Sequence, residues 1–218
     1  MSYDVKFPKM EDYDMSKPGD VALYHAHYDF MPLFNVIENI KMTIGVTGKF
    51  YFDKSNEARA SNDFVTEEWA MSSHTLFNAR VVPLSYYSLV LIMVSLLEEA
   101  FNTLCRAYTL KYNYNIEYKD IAGQGLERAI TYLEKVIKIE GIKSDSKWEY
   151  IKTIRDARNM IVHNGGYIPK ERKKSFEKFD LYIDEQGKLG FEYDDILTMY
   201  NEMIDYIERI FKKEPISK

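Results

Sequence analysis

An all-α domain with a small β-hairpin before its last helix is what three features of this sequence predict. Apolar residues recur at three- and four-residue spacing through six segments. Glycine (10) and proline (6) are few among 218 residues, which favours long helices with short connections. Only one stretch, ahead of the final helix, alternates in the two-residue rhythm of a strand. Apolar residues at 46% and charged residues at 29% are the proportions of a chain that folds around a core. No internal repeat, low-complexity tract or linker divides it, so residues 1–218 read as a single helical domain.

The elements follow in order. Residues 1–17 read as an irregular arm. Asp20 is placed to cap a first helix over 21–44, in which Leu23, Tyr24, Phe30, Phe34, Ile37 and Ile40 form one apolar stripe; Gly45 and Gly48 are expected to end it. A second helix is expected from Ser55 or Asn56 to Ala79, on the stripe Phe64, Trp69, Leu76 and Phe77. Pro83 suits the first turn of a third helix, which reaches about Lys111. That helix is apolar nearly all round between Leu84 and Leu97 and is expected at the centre. After a break at Asn113-Tyr114-Asn115, a fourth helix covers 125–139 and ends at Gly141. Asp145 or Ser146 caps a fifth, which stops at His163 before Asn164-Gly165-Gly166, a helix C-terminal signal. A basic loop follows at 167–178. Residues 178–183 and 189–193, turned at Asp184-Glu185-Gln186-Gly187, form the expected hairpin. Asp194 then caps the last helix, which runs to about Phe211.

Composition excludes several classes. The first 20 residues are polar and carry no apolar signal core. The most apolar stretch, Leu84 to Leu97, is stopped by Glu98-Glu99 and falls short of the roughly 18–20 residues of a membrane span, so no membrane contact and a cytoplasmic location are expected. The single Cys105 cannot form an intrachain disulfide and reads as a buried, inert thiol. A net charge of −5 argues against strong nonspecific nucleic-acid binding, yet residues 106–178 hold 16 Lys and Arg against 10 Asp and Glu. No phosphate-binding glycine motif or calcium loop is present, and His25 and His27 lie about 200° apart on a helix, poor for joint ligation. Neither metal nor cofactor is expected.

The chemistry is concentrated in Arg158-Asn159-Met160-Ile161-Val162-His163-Asn164-Gly165-Gly166. At 100° per residue from Ile151, Ile154, Ile161 and Val162 fall at roughly 300°, 280° and 20° and define the core face. Arg158 falls inside that stripe, at about 340°, while Asn159 and His163 share the neighbouring face at about 80° and 120°. A guanidinium on a core-facing position needs acceptors. Glu98 and Glu99, one turn after Ser95 on the central helix, are the expected partners.

Arg158-Asn159, three residues and His163 at the end of a late helix, after a helix bearing Ser95-x-x-Glu98, resembles the HEPN superfamily. Its motif is Arg, four to six residues, then His, commonly with Asn, Asp or His after the Arg. The resemblance covers roughly residues 84–211, leaving 1–80 as an N-terminal helical extension. It implies an up-and-down helical bundle, often a homodimer, and in many members a metal-independent endoribonuclease of toxin–antitoxin or antiviral defence systems. On that pattern Arg158, Asn159 and His163 are catalytic, and Ser95, Glu98 and Glu99 support them. RNA is the substrate, and an antitoxin or other protein is a further partner.

The residue types suit this chemistry. Cleavage through the ribose 2′-OH needs a base, an acid and a cation for the phosphorane charge. An imidazole of pKa about 6.5 serves as base or acid near neutrality, and a guanidinium forks onto phosphate oxygens. One His does not easily serve as both, which favours two facing motifs in a symmetric dimer. Lys170, Arg172, Lys173 and Lys174 follow the motif and are placed to track an RNA backbone. The plainer reading of the same residues is a His favoured by the helix dipole, an Asn-Gly-Gly cap and an Arg in a structural ion pair. It corresponds to a noncatalytic HEPN-like module that binds a protein partner or a nucleotide.

Overall fold

The computed structural model describes residues 8–216, and it is mostly helical, with no strand among the described residues. Of the irregular arm, residues 1–7 lie outside the described residues; the rest holds one 3-10 turn, Met10–Asp12. Helix α1 spans Pro18–Ala60. Helices α2, Phe64–Leu76, and α3, Val82–Tyr112, form one run through a wide π turn, Phe77–Val81. Then come α4, Gly125–Tyr132, with its own π turn at Leu133–Ile137, and α5, Trp148–Asn164. A 3-10 turn at Lys170–Arg172, the short α6, Lys173–Glu177, and α7, Tyr193–Phe211, complete the order.

The first two helices divide at a different place from the one expected. Gly45 and Gly48 do not end α1; it continues to Ala60, and the chain reverses at Ser61-Asn62-Asp63. Asn62 adopts a left-handed conformation there (φ 57°), and the Asp63 carboxylate accepts from the Thr66 amide as an N-cap. Pro83 does not separate α2 from α3, because the π turn just before it loosens the backbone where the ring would clash.

Helix α3 is central. It packs against α1, α4, α5 and α7, and Leu89, Val90, Met93, Leu97 and Phe101 are fully buried. The run Phe64–Tyr112 is 49 residues long and includes an 18-residue window of mean hydropathy 1.8, so by length and composition it could cross a membrane. Of that window 39% is buried inside the protein, and the central helix of a folded bundle meets the same criterion. The first half of α1 belongs to the same core through Ala22, Ala26, Phe30, Leu33 and Ile37, so the packed body extends to both sides of residue 80.

The expected hairpin is replaced by two isolated antiparallel bridges, Ile183 with Leu189 and Tyr167 with Lys188. The turn itself forms, with the Asp184 carboxylate accepting from the amides of Gln186 and Lys188. Across the turn the Asp184 amide donates to the Lys188 carbonyl and the Gly190 amide to the Tyr182 carbonyl, and on its other edge Leu189 donates to the Gly166 carbonyl and accepts from the Tyr87 hydroxyl. The expected helix caps move as well. Asp20 accepts from the Asp14 amide, Asp145 accepts from the Lys147 amide and pairs with Arg209, and Glu192 rather than Asp194 caps α7, in a box with Asp195. Helix four ends at Lys138, left-handed at φ 70°, ahead of Gly141.

Candidate functional site

The motif ends α5 as the Asn-Gly-Gly signal requires. Gly165 is left-handed (φ +60°), and the amides of Gly165 and Gly166 both reach back to the Met160 carbonyl in a wide last turn. Gly166 (φ +89°) lies so close to the Tyr87 hydroxyl that a Cβ there would overlap it. Tyr87, whose phenol is pushed up to about 12 by burial and then by Asp184, therefore anchors the turn after His163 to the start of α3.

The polar residues of the motif are placed as follows. His163 is exposed in the last turn and makes no side-chain hydrogen bond among the described residues. Asn159 and Arg158 are half-buried, and an Arg158 Nη1–H donates to Asn159 Oδ1 at 3.2 Å. Arg158 makes no ion pair among the described residues. The expected contact with Glu98 or Glu99 does not form. Glu99 pairs with Arg106 on its own helix at 2.5 Å. Glu98 lies against Gly125 at the start of α4, where the absent Cβ leaves room for its carboxylate and the helix N-terminus favours it. Ser95 donates to the Leu91 carbonyl of its own helix. The three supporting residues are thus not brought to Arg158.

The arginine that the core face does pair with carboxylates is Arg155. It holds Glu127 of α4 at 2.8 Å and Asp156 at 3.5 Å. Lys143 takes the other oxygen of Glu127 at 2.9 Å, and Arg172 takes Asp156 at 2.6 Å. Burial pushes the Glu127 carboxyl up, but hydrogen bonds from Lys143 and Arg155 outweigh it and hold the group below its ordinary range. The signal is in the sequence: Arg155 falls at about 40° on the same rotation, just outside the edge of the core face.

Arg172 does more than close this network. Asp156, Asn159 and His163 stand at spacings of three and seven residues, on one face of α5. The Arg172–Asp156 pair therefore draws the basic segment onto the face that carries the motif. Lys173 pairs with Glu177 at 3.6 Å, and Lys170 and Lys174 are exposed without ion pairs among the described residues. The expected basic loop is thus a 3-10 turn and the short α6, held down at Arg172.

Other polar groups have structural roles. His27 is half-buried, with the Tyr13 hydroxyl at 2.7 Å from Nδ1 and Glu208 at 3.1 Å from Nε2. Cys105 is buried, which pushes its thiol up and keeps it unreactive. No group of three or more His, Cys, Asp or Glu among the described residues is arranged to hold a metal ion. The class that fold and motif define is an all-α helical protein with an exposed His beside a half-buried Arg that has no ion pair among the described residues. No family model, curated protein or solved structure matches the chain.

Proposed function

We propose that the protein is a metal-independent endoribonuclease of the HEPN type, acting as a homodimer in which two Arg158–His163 motifs face one another. The observation that carries this reading is the state of Arg158. An arginine kept for structure would be neutralised, as Arg155 is by Glu127 and Asp156. Arg158 has no carboxylate partner among the described residues, and its guanidinium is steered by Asn159. A half-buried, uncompensated cation beside an exposed imidazole is suited to an anion that arrives with a ligand. In this reading Arg158 binds the scissile phosphate, and Asn159 orients the guanidinium. His163 takes the 2′-OH proton in one protomer and delivers a proton to the leaving 5′-oxygen from the other. Lys170 and Lys174 bind the flanking backbone, on a segment that the Arg172–Asp156 pair holds in place. A toxin or antiviral defence role, with an antitoxin as protein partner, follows from the resemblance.

Purified protein is expected to cut single-stranded RNA in EDTA, leaving 2′,3′-cyclic phosphate ends. His163→Ala and Arg158→Ala should each lower the cleavage rate by roughly a hundredfold or more while leaving helical content unchanged. RNA cut at the wild-type rate by both variants would sink the proposal. Tight RNA or protein binding without cleavage by the wild-type chain would establish the noncatalytic module instead.

A further inference from the structure

Ser55 and Thr153 are the buried residues with short polar side chains among the described residues, and only one of them is satisfied. Thr153, 8% exposed, returns its hydroxyl to the Glu149 carbonyl at 2.9 Å, the usual bond of a hydroxyl inside a helix. Ser55, 7% exposed, makes no hydrogen bond among the described residues, although the Tyr51 carbonyl stands four residues earlier on the same helix. Its Oγ is not sealed in, since no fully buried side-chain oxygen or nitrogen lacks a partner among the described residues. The hydroxyl opens instead into a cavity of about 270 Å³ between α1 and α2.

The cavity follows from how the two helices meet. The far half of α1 and all of α2 project from the bundle as an antiparallel pair that closes on the small, buried Ala58 and Ala70. Arg59 Nε–H donates to Glu67 at 2.7 Å, and the Tyr51 ring meets Trp69 at 5.9 Å and Phe77 at 6.2 Å, so the pair is tied at both ends of the cavity. Tyr51, Ser55 and Arg59 follow one another at four-residue spacing on one face of α1. The wall of α1 therefore presents ring, hydroxyl and guanidinium in order over about 12 Å. With Arg59 against Glu67, antiparallel pairing sets Met71 opposite Ser55 and His74 near Phe52. The Asn78 amide donates to His74 Nε2 at 3.1 Å and holds that ring in place.

We infer that this cavity binds a small arylalkanoate, its ring at the Tyr51, Phe52 and His74 end and its carboxylate at Arg59. Ser55 donates to the same carboxylate the hydrogen bond that its own helix does not take. Charge sets the sign of the ligand. No carboxylate lines the cavity, and Glu67 occupies only the Nε of Arg59. Neither Nη of Arg59 donates among the described residues, so the outer edge of the guanidinium is open to an anion. Met71 gives the ring a soft apolar wall. The volume is that of about nine waters at roughly 30 Å³ each, room for one ring and a short acidic chain. The site lies on helices that do not carry the motif, so its occupancy is independent of RNA cleavage.

Titration of the full chain with phenylpropionate, phenylbutyrate and phenylvalerate, followed by ligand-observed NMR, should show one saturable site per chain. The best of the three acids is expected to have a dissociation constant of about 1 mM or tighter, and phenylbutyramide and phenylbutylamine should bind roughly tenfold more weakly or worse. Arg59→Gln should weaken the acids roughly tenfold and leave the amide unchanged. Ser55→Ala should weaken the acids roughly fivefold, yet the thermal midpoint without ligand should not fall, because no internal hydrogen bond is lost. His163→Ala should bind as the wild-type chain does. No saturable binding of any of the three acids, an amine bound as tightly as its acid, or acid binding indifferent to Arg59→Gln overturns the inference. So does a midpoint lowered by Ser55→Ala, which would give the hydroxyl to the fold, or a loss of binding in His163→Ala, which would move the site to the motif.

Discussion

Gly165 and Gly166 stand side by side after His163, yet their backbones answer to different demands. At Gly165 nothing lies within 4 Å of the place a Cβ would take, and only the left-handed φ of +60° opposes a side chain. At Gly166 the left-handed φ of +89° is joined by the Tyr87 ring, whose position is fixed by burial and by the bond to the Leu189 carbonyl. Gly165→Ala should therefore cost about 1 kcal/mol, and Gly165→Asn less. Gly166→Ala should cost about 2–4 kcal/mol, because the ring or the turn must move. Chemical denaturation of Gly166→Ala, Tyr87→Phe and the double variant checks the cause. The double variant should lose somewhat less than the two single losses added, since removing the hydroxyl takes away the tightest contact while the ring edge still crowds the Cβ. Strict additivity would mean that the strain lies in the backbone alone. The residue scale also shows why half of the motif was legible in sequence. The cap signal and the exposed His163 follow from local rules. The partner of Arg158 does not, because Glu98 finds the start of α4 and Glu99 finds Arg106, choices made by packing between helices distant in the chain.

Among the elements, α4, α5 and α7 lie within a few residues of where periodicity places them, and α3 is the central helix that its apolar run implies. The N-terminal boundaries were not legible for a physical reason. A glycine inside a helix costs only about 1 kcal/mol, and α1 gains more than that by running on to cover α2. The true reversal, Ser61-Asn62-Asp63, is a cap signal as good as any in the chain, but it sits inside a segment whose apolar spacing continues across it. The expected hairpin reduces to isolated bridges, and its second arm is also tied to the turn beyond α5, a long-range contact that no local rule reads. These facts give a prediction for α1. Gly45 and Gly48 are helical, and nothing stands within 4 Å of a Cβ at either. Gly45→Ala and Gly48→Ala should each stabilise the protein by roughly 0.5–1 kcal/mol, read as a higher thermal midpoint. A lower midpoint in either would show that α1 needs to bend there.

For the molecule as a whole, one imidazole joins the N-terminal arm, the first helix and the last. His27 on α1 receives the Tyr13 hydroxyl at Nδ1 and donates from Nε2 to Glu208 on α7, with Lys212 a turn further along. Burial lowers the pKa of the ring below 6.5; Glu208 opposes the shift by charge and hydrogen bond, and Lys212 adds to it, yet desolvation prevails. The neutral ring is therefore the one the fold stabilises. Between the folded pKa and 6.5 the unfolded chain binds more protons than the folded one, so stability falls as pH falls through that window and is fully present above it. Protonation would reverse the bond at Nδ1, so that the ring donates to the Tyr13 hydroxyl oxygen, and would place a charge where burial opposes it. Denaturation midpoints measured from about pH 7.5 to about pH 5 should decline for the wild-type chain. His27→Gln, which keeps hydrogen-bonding capacity without a titrating ring, should start less stable at the upper end of that range and decline less steeply. An equal slope in the two proteins would assign the acid sensitivity to other groups and remove His27 from the coupling of arm to bundle.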